Sequence, residues 1–431
     1  MSSFPLALYI ALIFIRPMEW WEPLQGYPLV NGAAIFTILF AFPEIMRDHL
    51  DMWRKIPQVK VALLFSVCVP ASFLPVFFLS AMSASFQVFG KVIVLYMLVL
   101  LAARDPRNLR FLMWVVIICT LWLAWHTILL MSDPPLSQGF GDALARWRPD
   151  KEIYQPRAYG IFADPNDLCL VFVIAIPMLY AEFRGADNPM IRAFTLPLMA
   201  MEAYAAWLTN SRGGIVGLLG MAAAYAVSRA KGWRRWFFGG GTIGFILFVA
   251  PSRFAGGFAV DVGRLNSWGE GLAYWKSGLR PMLFGVGFGS YKDVTEDYMA
   301  AHNSFIEPLV ELGLVGYIPF FLLIYLTVLY SYRLATFKNE LTKKNRFYNT
   351  GLYSALIGYL AAAYFLSRAY NHVLYVTQAL LVAQVWTGCR DHNLYPQVFG
   401  PLKKDVRRGV MTALISVILI WLSVRLGNLG R

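Results

Sequence analysis

Apolar runs of roughly membrane-spanning length recur along this chain, separated by short polar stretches. They fall near 4–15, 28–43, 59–80, 86–103, 109–131, 163–183, 189–209, 212–230, 235–250, 304–332, 349–366, 370–389 and 409–427. The pattern predicts an all-α polytopic membrane protein of about thirteen transmembrane helices, or about twelve if the short first run is a half-span. No polar region is long enough for a separate soluble domain, so residues 1–431 read as one membrane domain. The first run lacks a basic flank and a small-residue cleavage site, so it is not expected to be a cleaved leader.

Two polar connections are long, at 132–162 and 251–303. In the second, Leu265, Trp268, Leu272, Trp275 and Leu279 recur at helical spacing before Pro281. That predicts an amphipathic helix near 264–280, too short to cross, lying at the interface or capping a cavity. Gly285, Gly287 and Gly289 follow. With no strand–helix context for a dinucleotide fingerprint, they read as a flexible turn.

Composition agrees with the pattern: 58% of residues are hydrophobic and only 15% charged, with a mean hydropathy of +0.53. The net charge of +13 would suit a nucleic-acid binder. Most basic residues, however, sit in short loops such as those of Arg104, Arg107 and Arg110, or Lys343, Lys344 and Arg346. Their alternation with basic-poor loops places them in the cytoplasm with the N-terminus inside, and removes nucleic acid from the partners. Cys68, Cys119, Cys169 and Cys389 lie in or beside apolar runs without metal-ligand spacing, and read as buried free thiols.

Against that topology, several polar residues stand on the extracytoplasmic side. His302, Asn303 and Ser304 join the second long loop to an apolar run, with Ser304 and Glu307 at capping-box spacing. An imidazole there could act as a general base or as a donor. Asn210 or Ser211 can cap the helix after it, leaving Arg212 in the first turn beside Gly213 and Gly214. A helix N-terminus, an arginine and glycines allowing close approach suit a phosphate group. The alternative is an arginine snorkelling to lipid headgroups, which positive-inside bias disfavours on this face. Asp164, Pro165 and Asp167 read as a well-formed helix start. Arg157 and Arg264 share the face, Arg280 reads as a helix C-terminal charge, and Arg368 precedes His372 in a tight turn. Arginines without a carboxylate cluster point to an anionic ligand, and no metal-ligand or cofactor motif accompanies them.

These landmarks also occur in a familiar order. Phe162-Ala163-Asp164-Pro165-Asn166-Asp167, Thr209-Asn210-Ser211-Arg212-Gly213-Gly214, Arg264 with Trp268, Pro281 with Phe284-Gly285-Val286-Gly287, and Ala301-His302-Asn303-Ser304 leading to Glu311-Leu312-Gly313-Leu314-Val315-Gly316 succeed one another. Together they resemble the O-antigen ligase and Wzy polymerase superfamily of bacterial membrane glycosyltransferases, most strongly over 155–332. The resemblance implies a GT-C-like helical fold in the bacterial inner membrane with a periplasmic active site. It implies a glycan donor on undecaprenyl pyrophosphate, and a lipid A-core sugar or other glycan as acceptor. In it, Arg212 matches the arginine on the pyrophosphate, His302 the histidine needed for transfer, and Arg157 and Arg264 nearby basic positions. Arg368 matches less closely.

Overall fold

The computed structural model describes residues 3–48, 54–132, 144–148, 153–230, 232–244, 259–337 and 340–429. Much of the first long loop, residues 251–258 of the second, the end of the 235–250 run, and Lys231 and Lys338 lie outside the described residues.

The longer elements run α1 (Phe4–Ile15), α2 (Leu29–Asp48), α3 (Pro57–Ala71), α4 (Leu79–Ala102), α5 (Pro106–Ser132), β1 (Ala145–Arg148), β2 (Ile153–Pro156), α6 (Pro165–Gly185), α7 (Pro189–Leu208), α8 (Arg212–Arg229), α9 (Trp233–Gly244), α10 (Ala259–Trp275), α11 (Leu279–Phe284), α12 (Ile306–Thr336), α13 (Lys343–Ala363), α14 (His372–Asp391) and α15 (Leu402–Leu429). The fold is an all-α bundle, with one antiparallel β-ribbon in the first long loop pairing Ala145 with Pro156. Every predicted apolar run contributes to a helix. Seven helices among the described residues are long and apolar enough to cross a membrane: those over Leu29–Met46, Pro57–Val76, Leu79–Ala102, Pro106–Ser132, Pro165–Gly185, Ile306–Thr336 and Tyr395–Leu426. The chain is therefore read as a multi-pass membrane protein. The other runs form helices that are shorter or more polar, such as the 12-residue α1.

Small residues let the central helices approach closely. A Cβ added at Gly220 of α8 would lie 2.5 Å from the Ala361 side chain of α13. One at Gly351 of α13 would lie 2.6 Å from the Pro177 carbonyl of α6. Elsewhere in the bundle, cations meet carboxylates of other segments. Arg110 pairs with Glu182 at 2.7 Å, Arg333 with Asp405 at 2.5 Å, and Lys344 with Asp187 at 2.5 Å. All four cysteines are buried and free.

Two expectations about the second long loop change. Leu265, Trp268, Leu272 and Trp275 are buried in the protein's core, so protein covers the apolar face of this helix. The Trp268 indole N–H donates to the Ala301 carbonyl, and its ring meets Tyr364 edge-on. The helix ends at Trp275, and Leu279, 72% exposed, belongs to the next one. The glycine run is no flexible turn. α12 breaks at Gly313, whose φ of 59° and ψ of −165° leave the helix. The N–H groups of Val286 and Gly287 bond the Val310 and Glu311 carbonyls at 3.0 and 2.9 Å. A Cβ at Gly285 would sit 2.3 Å from the Glu311 backbone, and one at Gly313 2.3 Å from that of Leu283. The two glycines are there because two backbones touch.

Candidate functional site

Four helices begin at one place, and each start is written in its sequence. The Asp164 carboxylate accepts the Asn166 N–H at 2.8 Å and opens α6 behind Pro165. The Ser211 hydroxyl accepts the Gly214 N–H at 2.9 Å and opens α8. The Asn303 side chain accepts the N–H groups of Phe305 and Ile306, at 2.8 and 3.0 Å, and opens α12. Asn371 accepts the Val373 N–H at 2.9 Å and opens α14, placing His372 at its first position.

Hydrogen bonds tie these starts together. Ser211 donates to the Asn166 side chain at 2.6 Å. Ser304 donates its N–H to Ala363 at 3.0 Å and its hydroxyl to the Leu366 carbonyl at 2.5 Å, while accepting the Arg368 N–H at 2.8 Å. The expected capping box is therefore not formed: the Ser304 hydroxyl is committed to the 366–368 turn, and Asn303 does the capping. The His302 N–H donates to the Ser367 hydroxyl at 2.8 Å. The Arg368 guanidinium pairs with the Asp167 carboxylate. Helix N-termini carry partial positive charge, so their convergence favours an anion.

His302 sits in the left-handed region, with φ of 45°, and is half-buried. A non-glycine residue held there is a feature worth attention, since its surroundings must impose it. Burial pushes its imidazole down to about 4, reinforced by Arg264, with Arg368 and Lys292 adding and Asp164 opposing. It is thus a neutral imidazole facing three cations. For Arg368, burial works against the charge, but the Asp167 carboxylate outweighs it and raises the guanidinium above its ordinary value.

The remaining candidates are placed as follows. Arg212 is half-buried in the first turn of α8, whose next residue abuts the end of α13: a Cβ on Gly213 would lie 3.8 Å from the Ala362 carbonyl. Arg157 follows the β-ribbon and is half-buried, its N–H donating to Leu144 at 2.7 Å. Gln155 anchors that ribbon to the Thr209 carbonyl at 3.4 Å, three residues before Arg212. Arg264 acts electrostatically on His302 from α10. Arg280 is exposed on α11, and no hydrogen bond or ion pair among the described residues joins it to the His302 turn. Beside that turn opens a cavity of about 470 Å³. Asp164, Ser367, Arg368 and His372 line it with Gly160 and Tyr370.

Sequence reasoning missed two partners. Asp167 reads as first-turn acid and Arg368 as a loop cation, and nothing in their spacing announces a pair across 201 positions. Arg16, at the end of α1, packs on Gly160 and acts electrostatically on His372, which also feels Lys91 of α4. A hint was available, because an arginine and a lysine interrupt otherwise apolar surroundings there.

In comparisons with known proteins, no family model matches the chain, and no curated protein matches it in sequence.

Proposed function

We propose that this protein is a membrane glycosyltransferase of the O-antigen ligase type, moving a glycan from undecaprenyl pyrophosphate to a sugar hydroxyl of a lipid A-core acceptor. The observation that carries the reading is the neutral His302, held on a strained backbone among Arg264, Arg368 and Lys292 where four helix N-termini meet. The motif order supplies the donor and acceptor classes. In this reading the bundle is GT-C-like with about twelve to thirteen crossings, and the site faces the periplasm of a bacterial inner membrane.

The acceptor oxygen attacks the anomeric carbon, and the bond from that carbon to the pyrophosphate oxygen breaks. Undecaprenyl pyrophosphate departs with the electron pair, and configuration inverts. His302 takes the acceptor hydroxyl proton and passes it to water. Arg212, Arg157 and Arg264 hold the pyrophosphate and offset its growing charge, so the step calls on no divalent ion. Ser211 and Asn303 shape the helix ends that face it. Membrane lipid surrounds the isoprenoid tail.

The deciding experiment gives purified protein a polyprenyl-pyrophosphate glycan with lipid A-core, a second lipid-linked glycan, or a protein acceptor. Modification of the lipid A-core supports the ligase. Extension of the lipid-linked glycan makes it a Wzy-type polymerase, and a modified protein makes it a protein glycosyltransferase. Movement of the donor across vesicles without transfer makes it a lipid transporter. His302→Ala, folded but inactive, is expected; normal turnover in that variant removes His302 from the mechanism.

A further inference from the structure

Glu307 and Glu311 stand one turn apart on α12, between the His302 turn and the break at Gly313. That spacing puts both side chains on one face, with about 5–6 Å between their Cβ atoms. The chemistry proposed above uses neither. Glu307 is engaged by the Ser367 hydroxyl and the Ala369 N–H, on the same turn that receives His302. Glu311 receives the Tyr291 N–H on its Oε1 at 3.3 Å, with the Gly289 N–H beside it. Each residue's Oε2 is buried without a hydrogen bond of good geometry, and the Tyr370 hydroxyl beside Glu311 is a further donor there. Glu311 is only 2% exposed.

Two ionised carboxylates in this position would set two like charges a turn apart and leave the Glu307 Oε2 without a donor, since the Tyr370 hydroxyl serves Glu311. One proton removes both faults. We propose that Glu307 and Glu311 share a single proton, in a carboxyl–carboxylate hydrogen bond between their Oε2 atoms. Glu311 is the acid. Its Oε1 takes the Tyr291 N–H as a carbonyl oxygen does, which leaves Oε2 to carry and donate the proton. Glu307 is the carboxylate, because the Arg368 cation faces it. The other titratable groups around the pair are Tyr291, Tyr359, Tyr370 and Glu270. The shared proton clamps the 289–291 segment to the 367–369 turn, and so holds the backbone under His302. It fixes this architecture whether or not the transfer reading is right, and its readout needs no substrate.

The test is infrared spectroscopy of the full-length protein in lipid nanodiscs, following the C=O stretch of protonated carboxyl groups. Glu202, a second buried carboxyl on α7, has an unpartnered Oε2 of its own, so the measurements use a Glu202→Gln background. Expected is one such band at neutral pH, shifted in D₂O and lost in Glu311→Gln. A band that persists in folded Glu311→Gln, or no band at all, overturns the proposal. Should Glu311→Gln not fold, Glu307→Gln serves. The band must then shift in frequency as its acceptor changes from carboxylate to amide, and an unmoved band overturns the assignment. A band removed by sodium at constant pH would mean that a cation, not a proton, joins the pair.

Discussion

Replacing Arg264 with glutamine is expected to raise the pKa of His302. Its imidazole lies at about 4 against an ordinary 6.5. A drop of that size corresponds to about 3 kcal/mol against the imidazolium. Burial is the largest cause and survives the substitution; Arg264 is the next. Removing its charge is expected to return about one pH unit, or about 1.4 kcal/mol, leaving His302 still below 6.5. The assay is NMR titration of protein with labelled histidine, the His302 resonance being assigned by its loss in His302→Gln. The sign also reaches stability. Between about 6.5 and about 4 the unfolded chain binds a proton that folded His302 refuses, so stability is full above the window and falls as pH is lowered through it. In Arg264→Gln the window narrows from below and less stability is lost. An unchanged or lower His302 pKa would refute the electrostatic account. The same logic makes a bound pyrophosphate an activator of the base, because it neutralises the cations that depress it; adding pyrophosphate to the wild type is expected to raise the His302 pKa.

Gly313→Ala would force a Cβ to 2.3 Å from the Leu283 carbonyl carbon at a positive φ, so a loss of about 2–4 kcal/mol in thermal unfolding, or failure to fold, is expected; an unchanged Tm would deny the interlock. Asp167→Asn leaves Arg368 without its carboxylate, and with that side chain 34% exposed a cost of about 1–3 kcal/mol is expected. The loss should be much reduced when Arg368→Gln is added, and equal losses in both backgrounds would show that the pair is not coupled. Arg212→Lys keeps the charge but loses the planar fork, so transfer is expected to fall severely with the Tm unmoved; wild-type-like turnover would place Arg212 outside the pyrophosphate contacts. Transfer is expected to persist in EDTA, and a Mg²⁺-restorable loss would reject metal-independent chemistry.

What the sequence made legible was local. Helix starts at Asp164 and Ser211 are short-range matters of a side-chain oxygen and an N–H two or three residues on, and both are found where the spacing puts them. The Trp268 helix shows the limit of local reading: periodicity reports that one face is apolar, not whether lipid or protein covers it. The Ala301 carbonyl that receives its indole lies 33 positions away. The Gly285–Gly313 contact was likewise invisible, since a glycine needed for a turn and one needed for another backbone look alike in one chain.

Charge shows the same limit at larger scale. Counting basic residues sorts loops between two faces, but it cannot say what each cation does there. Arg110 and Arg333 each meet a carboxylate on another helix, and Lys344 meets Asp187 in the connection before α7; their work is to join segments of the bundle. Arg368 does this too, through Asp167, yet it also lines the cavity and acts on His302. Arg264 and Lys292 act on the same imidazole. A cation whose effect falls on a titratable ring beside an open cavity changes what that ring does when an anion arrives; one neutralised within the bundle does not. The distinction rests on partners, and partners here are fixed by how α6, α10, α12 and the 366–372 turn come together. The arginines were therefore recognisable as candidates before the fold was known, whereas the effect of Arg264 and Arg368 on His302 became legible only with it.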